Sequence, residues 1–209
     1  EVAKTRKRVY MHQNYWGKPV SGFGDPAASV LVLGLAPGAH GANRTGRMFT
    51  GDPASTWLMR AMHAHGFASK DDSVAADDGL TLTGAFITSP LKCAPPKNRG
   101  TSEEFDACRE HLLSEFRLLN RVEVVVALGT VAWKSYHRVL RLLGHPYPTP
   151  MARFGHLRVV DDGIPHTLIG CYHPSQLNTS TGRLTRDMLD EVFAEAARRV
   201  KGAPRVTSP

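Results

Sequence analysis

The sequence has 209 residues, 42% hydrophobic and 22% charged, with a net charge of +7 and a pI near 9.6. That length supports one hydrophobic core without requiring a second, so residues 1–209 read as a single domain, and no apolar run reaches the ~18 to 20 residues that span a bilayer, so no membrane partner is expected. The excess of Lys and Arg favours a polyanionic partner, nucleic acid first, while three cysteines without a signal-peptide pattern argue against a disulfide scaffold and for a reducing, cytoplasmic compartment.

In chain order, "EVAKTRKRV" reads as a basic helix, and because it opens without a methionine, further residues are expected upstream. Val30-Leu31-Val32-Leu33 is continuously apolar, as in a strand buried on both faces. After the segment "GLAPGAHGANRTGRMFTGD", residues 34–52, comes "PASTWLMRAMHAHGF". This is a helix, with Pro53 in its first turn, Gly66 at its stop and apolar residues at helical spacing between them. "LTLTGAFITSP" predicts a strand ending at Pro90, and "SEEFDACREHLLSEFRLL" a helix with Ser102 as N-cap and acids in its first turn. "VEVVVALG" is a buried strand running straight into the helix "TVAWKSYHRVLRLLG". "HTLIGCYHPS" is a strand opening into a loop, and "LTRDMLDEVFAEAARRVKG" is the closing helix.

This β-α alternation implies a three-layer α/β/α sandwich with a short, mostly parallel central sheet, whose ligand site lies at the carboxyl ends of the strands. Three compositionally unusual segments follow three of those strands: 34–52, 88–99 ("TSPLKCAPPKNR") and 172–183 ("YHPSQLNTSTGR"). All three can reach one cleft. Neither G-x-x-x-x-G-K-[ST] nor G-x-G-x-x-G is present, so no nucleotide cofactor is expected. Ser175 and His173 lack a nucleophile elbow, and His63 and His65 face apart on their helix.

The three segments, in that order and on those elements, resemble the signature motifs of the uracil-DNA glycosylase superfamily, and most closely its family-5, type-B branch. The resemblance extends through the connecting helices and "FGDPAA" at 23–28. It implies a glycosylase that everts a nucleotide and hydrolyses its N-glycosidic bond, and with no lysine obviously placed for Schiff-base formation the enzyme reads as monofunctional. Such a reaction needs donors at the base oxygens and an anionic group or polarised water at the sugar. On that reading the turn at Gly38, Ala39 and His40 offers backbone N–H groups to the base, Phe49 stacks on it, and His173 donates to the leaving anion. Asp52 positions the water or balances the sugar cation, with Asn98 assisting. Leu177 fills the vacated stack within the 172–183 loop, alongside Gln176 and Asn178, while Arg44, Arg47, Lys97 and Arg183 contact phosphates. Each residue has a plainer alternative: Phe49 as a core aromatic, Asp52 as the N-cap before Pro53, His173 as a structural histidine, Asn98 as a turn residue.

Strict uracil enzymes of the resembled superfamily carry a polar or acidic residue where this chain has Ala39, and several carry an asparagine, reading the uracil edge, where it has Ser89. Both departures imply a looser pocket that also accepts hypoxanthine or xanthine. The expected partner is double- and single-stranded DNA containing deaminated bases, with the protein a monomer. A non-catalytic damaged-DNA binder and a small-molecule α/β hydrolase remain alternatives. The resembled family also holds a [4Fe–4S] cluster on four cysteines. Cys93 and Cys108 match two of them, and the other two fall in a pair expected just before Glu1. Cys171 reads as core.

Overall fold

A computed structural model describes residues 2–200. Its strands are β1 (Phe23–Gly24), β2 (Val30–Leu33), β3 (Ala85–Thr88), β4 (Val124–Leu128), β5 (Val159–Val160) and β6 (Thr167–Cys171), in the spatial order β1-β3-β2-β4-β6-β5. The inner four are parallel and the two outer strands run antiparallel to their neighbours. Val32 stands between Ile87 and Val126, and Val126 beside Ile169. A row of β-branched side chains suits a pleat buried on both faces.

The helices are α1 (Val2–Thr5), α2 (Ala42–Thr45), α3 (Pro53–Ala64), α4 (Ser102–Leu118), α5 (Thr130–Leu143), α6 (Gln176–Ser180) and α7 (Arg186–Arg199). Alternating strand residues separate two cores. Val30, Val32 and Ile87 pack with Leu58, Met59 and Met62 of α3 and Leu189, Val192 and Phe193 of α7. Leu31, Leu33 and Val125 pack with Leu112 and Leu113 of α4 and Trp133, Tyr136 and Leu140 of α5. The three-layer expectation therefore holds, with two short edge strands that the apolar pattern did not show.

Local differences have local causes. The N-terminal basic stretch is not one helix, because Arg6 turns to φ +44 after α1 and a 3₁₀ turn, Arg8–Tyr10, follows. The strand expected from residue 80 begins only at Ala85, since Gly84 sits at φ +64 and Leu82 makes no more than an isolated bridge with Ala68. Thr101 replaces Ser102 as the cap of α4. Its hydroxyl accepts from the Glu104 N–H while the Glu104 carboxylate accepts from its own N–H, a reciprocal capping box.

Candidate active site

Parallel pairing puts the carboxyl ends of β2, β3, β4 and β6 on one edge, where the backbone ties them together. Gly34 N–H donates to Thr88 O at 2.8 Å, and Gly129 N–H to Cys171 O at 2.7 Å. The three unusual segments leave from this edge.

In the first segment, Asp52 is the N-cap of α3 and also more than a cap. Its Oδ1 accepts the Ser55 N–H at 2.9 Å, with the Ser55 hydroxyl at its backbone N–H completing the box. Oδ2 faces the glycine turn instead: a Cβ added at Gly38 would lie 2.7 Å from it, and one at Gly41 only 2.0 Å. Glycine at these two positions is what lets the carboxylate lie against the backbone. Burial raises the Asp52 carboxyl above its ordinary value, against the opposing pull of the Ser55 and Ala54 N–H groups and Arg44. Among the described residues, the N–H groups of Gly38, Ala39 and His40 meet no protein acceptor.

Phe49 occupies the left-handed region at φ +47, a conformation that costs a non-glycine residue about 1–3 kcal/mol. Its ring packs against Gly34 at the end of β2 and lies 6.0 Å from the His173 ring, tilted 33°. His173 follows β6 beside Gly129, and its carbonyl accepts from the Asn178 amide at 2.8 Å. Burial holds its imidazole down to about 4, so at neutral pH it is an uncharged ring with one N–H to give. Two loops that are far apart in the sequence thus place an aromatic face beside a neutral donor.

The structure relocates several predicted contacts. Arg47 cannot reach a phosphate, because it is buried and its guanidinium is shared among Thr50, Ser73, Ala76 O and Asp78. Arg44 is likewise occupied: it donates to His40 O, Gln13 and Gly51 O, each at 2.7 Å, and covers the Tyr10 ring. It braces the motif loop. The His40 side chain bonds the Tyr15 hydroxyl through Nδ1 at 2.9 Å. Ser89 is buried with its hydroxyl on Leu91 O at 2.6 Å, so it reads no base edge. Lys97 and Asn98 sit exposed in the 3₁₀ turn Pro96–Asn98, both at positive φ. Gln176 and Leu177 open α6 with Leu177 72% exposed, Asn178 braces His173 from the same helix, and exposed Arg183 lies over the Tyr172 ring. A groove of about 480 Å³ between α3 and α7, lined by Trp57, Arg60, Asp71 and Arg186 among others, includes none of these groups.

Lys92, buried behind the second segment, places its ammonium on both Glu115 oxygens at 2.8 Å and on the Thr88 hydroxyl at 2.7 Å. Next to it, Cys93 is exposed and Cys108 half-buried, and the Lys92 N–H points at Cys108 Sγ from 3.4 Å. Burial first, then the neighbouring Cys108 and Glu104, pushes the Cys93 thiol up. Cys93 and Cys108 are thus neighbouring thiols, one of them met by a backbone N–H. Cys171 does not join them, since it is buried in β6 with its thiol on Tyr172 O, and the described residues hold no group of three or more ligand side chains.

Ser73 and Asp78, which grip the first segment, lie outside the segments that the sequence singles out. Nor is the stack of His156 on Tyr172, next to His173.

The convergence of these strand-end loops agrees with the comparisons. The family model described as Uracil DNA glycosylase superfamily matches residues 21–197. A type-5 uracil-DNA glycosylase of Mycobacterium tuberculosis is 48% identical over 94% of this chain and 72% of its own length. One from Thermus thermophilus is 45% identical over 92% and 85%, and one from Pyrobaculum aerophilum 47% over 91% and 80%. With the glycine turn, Phe49 and His173 assembled on the same sheet edge, this chain belongs to the uracil-DNA glycosylase superfamily, in its type-5 branch.

Proposed function

We propose that the chain is a monofunctional DNA glycosylase that everts uracil from DNA and hydrolyses its N-glycosidic bond. The observation that carries this reading is Phe49 beside neutral His173, on the edge where Asp52 meets the glycine turn. The everted base stacks on Phe49 while the open N–H groups of Gly38, Ala39 and His40 meet its oxygens. As the C1′–N1 bond breaks, its electron pair moves onto the base, and the His173 N–H stabilises the resulting oxyanion. Asp52 orients water toward C1′ and takes its proton, with Asn98 at the rim of the second segment. Lys92 gives no Schiff base, because its ammonium is held by Glu115.

The pocket takes hypoxanthine and xanthine as well as uracil. The Ala39 methyl offers no polar contact, and Ser89 is turned away to Leu91, so no side chain there selects the uracil edge. Outside the cleft, Arg183, Lys97 and Leu177 face the DNA, which is taken double- or single-stranded by a monomer. Cys93 and Cys108 would hold a [4Fe–4S] cluster together with two further thiolates, tying the 88–99 loop to α4 as a structural staple. No helix among the described residues is long and apolar enough to cross a membrane.

Base release from uracil- and inosine-containing oligonucleotides by the wild type, Asp52→Ala and His173→Ala tests the proposal. Each variant is expected to lose ~100-fold or more in single-turnover rate. Full activity in either removes that residue from the mechanism, and uracil release without inosine cleavage rejects the broad pocket. DNA binding without base release supports a damage binder. Failure to bind DNA at low salt supports a small-molecule hydrolase.

A further inference from the structure

Asp78 lies in the loop between α3 and β3, outside all three strand-end segments, and its carboxylate is almost completely occupied. Oδ1 accepts the Leu80 N–H at 2.9 Å, while Oδ2 accepts those of Val74 at 2.9 Å and Ala75 at 3.2 Å and pairs with Arg47 Nη2 at 2.7 Å. Arg47 is 7% exposed and carries the connection inward. Its Nε donates to the Thr50 hydroxyl at 2.9 Å and its Nη2 also to the Ser73 hydroxyl at 2.8 Å. The Thr50 and Ser73 hydroxyls are themselves 2.7 Å apart, and Ser73 O accepts the Gly51 N–H at 2.8 Å.

These contacts fall on both sides of Phe49. Arg47 and Met48 precede it, Thr50 and Gly51 follow it, and Thr45 adds a hydroxyl that reaches Arg47 O and Thr50 O. Met48 is buried and within 3.6 Å of the Ser89 hydroxyl. Phe49 lies beside the His173 ring and partly packs on the core, and it does so from a backbone conformation that phenylalanine does not favour. Such a conformer persists only when its surroundings dictate it. Asp78 is the anchor of those surroundings, because among the described residues it is the one carboxylate paired with Arg47.

We propose that Asp78 is a positioning residue for Phe49: through the buried Arg47–Thr50–Ser73 network, it holds the aromatic platform in the orientation that receives the everted base. The proposal rests on the glycosylase reading of Phe49, and it concerns the base platform rather than DNA binding. It therefore separates two quantities that a general loss of structure would move together.

The test compares wild type, Asp78→Asn, Phe49→Ala and the double variant. Single-turnover base release is measured on uracil DNA, and affinity on a duplex carrying a tetrahydrofuran abasic analogue, which has no base to stack. Asp78→Asn is expected to lower the base-release rate ~10- to 100-fold, the scale on which small misplacements act, while affinity for the abasic duplex changes less than ~2-fold because phosphate contacts set it. In the Phe49→Ala background the same change should cost less than ~2-fold, since the two residues act as one unit. A full multiplicative loss in that background, an unchanged rate in Asp78→Asn, or lost affinity for the abasic duplex each overturns the proposal. Should Asp78→Asn fail to fold, Ser73→Ala enters the same cycle with the same expectation. A wild type that binds uracil DNA but releases no base refutes the glycosylase reading instead, and this proposal with it.

Discussion

Between Gly41 and Asp52 the polar side chains are tied down by hydrogen bonds, some within the segment and some to Gln13, Ser73 and Asp78, whereas in the loop after β6, Gln176, Leu177 and Arg183 face outward. Both segments leave the same sheet edge, and the proposed mechanism asks different things of them. A base platform and a carboxylate must hold their geometry to within a fraction of an ångström, so the first segment is built like a core, down to a buried arginine. A surface that meets a duplex must accommodate it, and low packing suits that task. The contrast implies that changes in the first segment act on chemistry and changes in the second on the engagement of DNA.

Among changes that leave the proposed catalytic side chains in place, the largest expected effect comes from Gly41→Ala. The new methyl would stand 2.0 Å from Asp52 Oδ2 and 2.7 Å from its Cγ, so the carboxylate must move. Single-turnover base release should fall ~100-fold, about 2.7 kcal/mol of barrier, with DNA affinity little changed. Wild-type rates in Gly41→Ala would show that Asp52 need not lie against the turn.

A smaller effect should follow acidification. Burial raises the Asp52 carboxyl above its ordinary 3.8, and a water-orienting carboxylate works only when ionised. Activity is therefore present above that raised value and lost as pH falls through it, about tenfold per pH unit below it. The acid limb of the single-turnover rate should sit higher than an exposed aspartate would place it, and Asp52→Asn should flatten it. A limb that survives in Asp52→Asn belongs to another group.

Much of the frame and part of the site are legible in the sequence, and the boundary has a physical basis. Val30–Leu33 and Val124–Leu128 announce themselves because strands buried on both faces need unbroken apolar runs, and Asp52-Pro53 announces a helix start through local capping chemistry. Two-residue edge strands such as Phe23–Gly24 and Val159–Val160 are too short to show a period. Arg47 misleads because an arginine in a polar segment looks solvated until its partner is known, and Asp78 lies 31 positions away. The contact of the His40 side chain with Tyr15 is equally hidden in the sequence, the two residues being 25 positions apart. Local chemistry reads from a sequence; a buried polar pair reads only from the fold that brings its members together.

The smallest expected effect tests the outward-facing side of the contrast. Leu177 is 72% exposed near the start of α6, in the loop that the proposed function sets against DNA. In a duplex the vacated position must be filled at an unstacking cost of a few kcal/mol. A single strand has no complementary stack to hold open. Leu177→Ala should therefore slow uracil release from duplex DNA ~5- to 10-fold and leave release from single strands within ~2-fold. Equal losses on the two substrates would mean that Leu177 supports His173 through α6, where Asn178 already holds its carbonyl, and the division between a rigid chemical loop and an adaptable DNA-facing one would have to be drawn elsewhere.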